Sequence, residues 1–166
     1  MDAASTRTTI RCAKLAVVAG LAAFFLLVAF GNVTDYDSNW QFARHVLAMD
    51  TTFQSPALMW RAVTDETLQR LAYHAIIAWE LATGLVLALA AVLMAARLRR
   101  EDFAAARAVA AVGLAMGFLL YGVGFLVVAS EWFAMWQSQT WNAQFKAGMF
   151  TTVLLAALAF MAPAEG

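Results

Sequence analysis

A lone carboxyl, Glu80, interrupts the apolar run from about Leu71 to Ala96. If that run crosses a membrane, the group lies about nine residues inside it, or about 13 Å below the surface at 1.5 Å per residue. An acidic side chain so deep costs on the order of 2.5–3.5 kcal/mol on insertion scales and is rarely left facing lipid, so it must point into a bundle. Tyr121 lies about nine residues from the far end of the next apolar run, at Ser130. An antiparallel pair of helices therefore brings the phenol level with the carboxyl. Thr83, Thr151 and Thr152 are further polar groups near that depth. Glu80, Tyr121 and Thr83 form a candidate ligand or proton site; the plain alternative is a carboxyl hydrogen-bonded for packing alone.

Other chemistry-bearing residues give weaker patterns. His45 and His74 are the only histidines, and a pair can hold a haem or a metal. Neither has a second ligand at i+3 or i+4, so satisfied interfacial histidines are the expectation. Asp35, Asp37 and Asn39 open like a calcium loop, but Trp40 stands where that loop needs glycine and Val46 where it needs glutamate. Turn and cap chemistry is the reading. Asn32-Val33-Thr34 matches a glycosylation triplet of low specificity. The one cysteine, Cys12, excludes an internal disulfide and a dithiol redox centre. No phosphate-binding glycine loop, Ser/His/Asp set or metal-cluster spacing occurs, so no catalytic residue, metal or cofactor is expected.

The elements that hold these residues follow from composition. Of 166 residues, 63% are apolar and 13% charged. The mean hydropathy is +0.70, which points to lipid as the main solvent. Four runs, about 13–31, 71–96, 108–130 and 145–162, match the ~20 residues that span a hydrocarbon core of ~30 Å. Each must be helical, because lipid offers no partner to free backbone groups. The expected fold is all-α: a polytopic membrane protein, one integral domain with a four-helix bundle and an amphipathic extracytoplasmic cap. The first run also resembles a signal peptide, but its length favours a retained helix.

Orientation follows from the basic residues. Arg7, Arg11 and Lys14 precede the first run, and Arg97, Arg99, Arg100 and Arg107 crowd the turn 97–107. The turn 131–144 has neither Lys nor Arg. The positive-inside rule then puts both termini and the turn 97–107 in the cytoplasm, with loop 32–70 and turn 131–144 outside. Trp40, Trp60, Trp132, Trp136 and Trp141 all fall on that outer side, and only Trp79 lies within a span. They read as headgroup anchors or as a platform that docks a partner or lipid. Asp37 or Ser38 is expected to cap a helix over about Asn39 to Met49, with Trp40, Phe42, Ala43, Val46, Leu47 and Met49 on one side. A short helical piece is expected from Pro56, and Trp132 and Trp136, at i and i+4, on one helical face. Gly113 and Gly117 form a G-x-x-x-G pair, and Gly124 is expected to return to the same face for close helix packing.

The segments Asn32-Val33-Thr34-Asp35-Tyr36-Asp37-Ser38-Asn39-Trp40, Arg44 to Asp50, Ala78-Trp79-Glu80 and Glu131 to Asn142 resemble a bacterial family of predicted small integral membrane proteins, catalogued as domain of unknown function two-one-six-five. The resemblance covers nearly the whole chain. It implies a multi-pass inner-membrane protein with four helices and supplies no activity, cofactor or catalytic residue. The leading functional expectation is a non-enzymatic accessory or scaffold protein whose outer aromatic cap docks a membrane partner. A transporter or small-molecule or lipid binder using Glu80 and Tyr121 is the alternative, and a haem-binding redox subunit using His45 and His74 a weaker one. Expected partners are the lipid bilayer and a membrane protein or second copy of the chain, with no nucleic acid.

Overall fold

The computed structural model describes residues 3–162. All regular structure among them is helical: α1 (Ala3–Thr34), α2 (Tyr36–Ala48), α3 (Glu66–Ala96), α4 (Phe103–Phe118) continued by a wider segment (Leu119–Trp132), and α5 (Gln144–Met161). Four helices are long and apolar enough to cross a membrane: Ala4–Thr34, Glu66–Ala96, Phe103–Trp132 and Gln144–Met161. Leu27, Phe30, Leu85, Val92 and Val127 project from the outside of the bundle, as apolar residues do when lipid is the solvent.

The helices overrun their apolar centres for identifiable reasons. α3 starts at Glu66 because the Asp65 carboxylate accepts the Leu68 N–H at 2.9 Å, a side-chain N-cap. α1 reaches back to Ala3, where the Thr8 and Thr9 hydroxyls donate to the carbonyls of Ala4 and Ser5. Basic residues at the end of the bundle nearer the termini satisfy backbone carbonyls: Arg11 donates to Leu98 and Arg100 in the turn after α3, and Arg107 to Met161 at the end of α5. These arginines therefore bind backbone.

The core lies in the half of the bundle nearer the termini. Val18, Phe25, Leu87, Met94, Phe103, Leu114 and Leu154 interlock there. Close approach is set by glycines. A Cβ on Gly113 would meet the Leu87 side chain at 2.7 Å, and one on Gly117 the Phe25 ring at 2.8 Å. Gly84 is tighter still in kind, since its Cβ would lie 3.0 Å from the backbone nitrogen of Leu26. Gly124 leaves that face: a Cβ there meets only its own helix, at 3.7 Å or more.

The cause is a change of helical pitch. From Leu119 to Trp132 the chain adopts a π-helix, whose i→i+5 bonds give more residues per turn than the 3.6 assumed in counting from Gly113 to Gly124. At the junction, the Trp79 indole donates to the Met116 carbonyl at 2.9 Å. A side chain inserted into the α ladder in this way is a known cause of such departures. α3 packs closely on α4 but barely touches the wide segment, so the bundle splays toward its other end.

The cap closes that end. α1 and α2 are separated by Asp35 alone, so the helix over loop one starts earlier than Asn39. Neither Asp37 nor Ser38 caps it; the Ser38 hydroxyl donates to Asp35 and Gln41 to Asp37. The piece after Pro56 is a single 3-10 turn, Met59–Arg61. Loop one is tied to the turn after the wide segment by Phe53 N–H to Gln137 at 2.9 Å and by Thr51 to Ser138 at 2.9 Å. Ala134 takes the left-handed conformation (φ 50°), which breaks the helix after Trp132 and removes the shared face expected for Trp132 and Trp136.

Candidate functional site

A cavity of about 720 Å³ fills the splay. Its deepest lining residues, counted along each helix, are Val28, Glu80, Leu120, Tyr121 and Phe150; α2 and the turn carrying Trp141 form its roof. Asn39, Thr140, Asn142 and Lys146 line it and are exposed, which marks a polar mouth at the cap end. On the wide segment the lining positions are 120, 121, 124, 125, 128, 129 and 133. That spacing of four to five keeps one face on the cavity through the whole segment, which a 3.6-residue turn would not.

Glu80 is 3% exposed and accepts a hydrogen bond from Asn32 Nδ2 at 2.6 Å. Asn32 Oδ1 accepts in turn from Asn39 Nδ2 at 2.7 Å, so the end of α1, the start of α2 and the middle of α3 are joined by one polar chain. The Tyr73 hydroxyl donates to the carbonyls of Asn32 and Tyr36 at 3.4 and 3.3 Å, holding the same corner. A buried carboxyl is costly unless hydrogen-bonded, and this network supplies that partner.

Tyr121 stands among Phe24, Phe25, Phe125 and Phe150, with ring centroids 4.9–6.4 Å apart. It lines the cavity with Glu80, and no hydrogen bond joins the two side chains among the described residues. Thr83 does not join them. Its hydroxyl donates to the Trp79 carbonyl at 2.7 Å, and Thr151 and Thr152 bond back to Ala147 and Gly148 in the same way. A threonine in an apolar helix satisfies its donor locally when no better partner is in reach.

The five outer tryptophans do not form one surface. Trp40 is 3% exposed, packed with Tyr73 and Tyr36 under the Arg70 guanidinium. Trp141 lies on the His45 ring (5.0 Å, 9°) and lines the cavity. Trp60, 69% exposed, meets Trp132 edge-on, with Arg61 over both rings. Trp136 contacts Phe53 instead. The two histidines are likewise separately engaged: His45 with Asp50 at 2.7 Å, His74 with the Tyr36 hydroxyl at 3.0 Å. Among the described residues, no three His, Cys, Asp or Glu side chains are grouped to hold a metal. Asn32, the acceptor residue of the glycosylation triplet, is buried on Glu80.

Three contributors to this site escape sequence reasoning. Asn32 carries a signal, being a polar amide directly after the first apolar run, but its place in the glycosylation triplet suggests surface chemistry instead. Lys146 sits in the first turn of α5, where it reads as part of a span. Gly124 was assigned to packing by a 3.6-residue count. No curated protein and no solved structure matches the chain. The family described as predicted small integral membrane protein (DUF2165) matches residues 10–163. With four apolar spans around a single interior, and a match over nearly its full length, the chain belongs to that family of integral membrane proteins.

Proposed function

We propose that this protein binds a small molecule in the cavity between its helices, with Glu80 as the acceptor at the floor and Tyr121 on the wall. The single observation that carries this reading is the open space reaching Glu80. A structural carboxyl retained only for packing needs no cavity, whereas ligand pockets of 300–1,000 Å³ with few convergent polar groups are the usual form of a binding site. Whether the bound molecule is held or passed on, the first event is the same.

Ala147 is buried and lines the cavity, so Ala147→Phe fills space the ligand needs. Wild-type protein extracted in mild detergent is expected to carry a co-purifying small molecule, seen by native mass spectrometry, and Ala147→Phe to lose it. The same bound mass in both proteins, or none in either, contradicts the proposal.

Trp60 and Trp132 around Arg61 support a second reading, in which the cap anchors the protein in headgroups or docks a membrane partner. Truncating both to alanine should then weaken recovery of a membrane partner about tenfold, as loss of two interface aromatics does. Unchanged behaviour removes that reading. We also place the cap outside the cytoplasm of a bacterial inner membrane, with both termini inside, on the strength of the arginine distribution. Side-specific thiol labelling of the cavity tests this placement.

A further inference from the structure

We infer that the occupant of the cavity carries an ammonium group at one end and an acid group at the other, joined by an apolar body. This rests on the small-molecule reading above and names the ligand's chemistry. Of the described residues that line the cavity, two have carboxyl or amine side chains: Glu80 at the floor and Lys146 at the mouth. They have opposite signs and lie at opposite ends.

The floor suits a primary ammonium. One oxygen of Glu80 is occupied by Asn32, and the other has no donor among the described residues. Tyr121, Phe125 and Phe150 surround the same space, and aromatic faces attract a cation through their quadrupoles. An ammonium brings three donors to one carboxylate oxygen, the Tyr121 hydroxyl and the ring faces. A neutral alcohol could only exchange ordinary hydrogen bonds with the Glu80 carboxyl, whereas an ammonium forms a charge-assisted pair with it, which is the stronger contact.

The mouth suits an anion. Lys146 is exposed, lines the cavity, and makes no ion pair or hydrogen bond among the described residues. It precedes Phe150 by four residues, so its backbone lies about 6 Å nearer the cap at 1.5 Å per residue. Phe150 packs on Tyr121 at 4.9 Å, which fixes the level of the floor. Between the two, Ala147, Gly124 and Val128 give an apolar wall on α5 and the wide segment, and the corner of α1 and α2 adds the Asn32 and Asn39 amides, which are already bonded to each other. A molecule with a single charge would satisfy one end and leave the other unmatched.

Three probes of equal length separate these ideas: 8-aminooctanoic acid, octylamine and octanoic acid, titrated calorimetrically into the detergent-solubilised full chain at pH 7, with empty micelles as the blank. The zwitterion is expected to bind at least about tenfold more tightly than either single-charge analogue, since each analogue leaves one charge unpaired. Glu80→Gln should abolish the advantage over octanoic acid. Lys146→Gln, a surface change that leaves the fold alone, should abolish the advantage over octylamine. Equal affinity for all three probes, or indifference to Lys146→Gln, overturns the inference. If no probe binds while Ala147→Phe still displaces a co-purified molecule, the zwitterion inference falls and the cavity reading stands. If no probe binds and nothing co-purifies, both fall.

Discussion

Gly84→Val is expected to lower the thermal midpoint of the protein in detergent by about 5–10 °C, the largest effect of any single glycine substitution in the bundle. Added volume in a packed core costs about 1–3 kcal/mol and sometimes more, and each kcal/mol moves the midpoint of a chain this size by about 2–4 °C. The upper end applies here because of what the new side chain meets. At Gly117 the nearest atoms belong to the side chains of Phe25 and Leu154, which can rotate aside, and at Gly113 the Leu87 side chain comes first and its backbone nitrogen stands off at 3.3 Å. At Gly84 the obstacle includes the backbone nitrogen of Leu26 at 3.0 Å, so α1 itself must move away from α3. Gly20, with nothing within 4 Å, supplies the control: Gly20→Ala should be neutral or slightly stabilising. Equal midpoints for Gly84→Val and Gly20→Ala would contradict the packing described.

The second large effect concerns the polar chain at the cavity floor. Asn32→Leu keeps the volume but leaves the Glu80 carboxyl facing an apolar group, with its one donor among the described residues gone. Stranding a buried polar group costs about 1–3 kcal/mol, more where the group is charged. Replacing both partners by apolar groups of similar shape is far cheaper than replacing one. The double variant Asn32→Leu with Glu80→Met should therefore recover most of the stability lost by Asn32→Leu alone, while losing the co-purifying molecule. Strictly additive losses in denaturation midpoints would show that the two side chains do not act as a pair.

These two sites also mark the limit of what one sequence discloses. The four spans were legible because lipid imposes a crude rule: about twenty apolar residues, helical throughout. Counting residues from the ends of antiparallel helices was enough to put Glu80 and Tyr121 at one depth, and both line one cavity. Beyond that, counting failed where its period was wrong. Nothing in the run Leu119 to Trp132 announces i→i+5 bonding, which begins just past the Met116 carbonyl, shared there between the Trp79 indole of another helix and the backbone. With the pitch went the expected place of Gly124. Thr83 was judged by depth alone, whereas its hydroxyl is spent on its own helix.

The cap was the least legible part. Five tryptophans at one end of the bundle look alike in sequence, yet Trp40 is core, Trp141 is cavity roof, and Trp60 with Trp132 is surface. Their fates depend on which loop segments meet, as when Phe53 finds Gln137 across 84 positions, and no local periodicity encodes such pairings. Gly84 went unremarked for the same reason. A glycine's value in a helix is set by the neighbouring helix, and Leu26 is its neighbour only after folding.

The most direct test of the binding cavity is the reactivity of a thiol placed inside it. Gly124 lines the space and has room for a larger group, so Gly124→Cys, made with Cys12→Ala to silence the native thiol, should preserve the fold. A small, charged, membrane-impermeant methanethiosulfonate added from the cap side of intact membranes is expected to modify it, and Ala147→Phe to block the reaction. A thiol at position 124 that stays unmodified in the membrane, yet reacts once the protein is unfolded, would mean that the space around Glu80 is closed and dry.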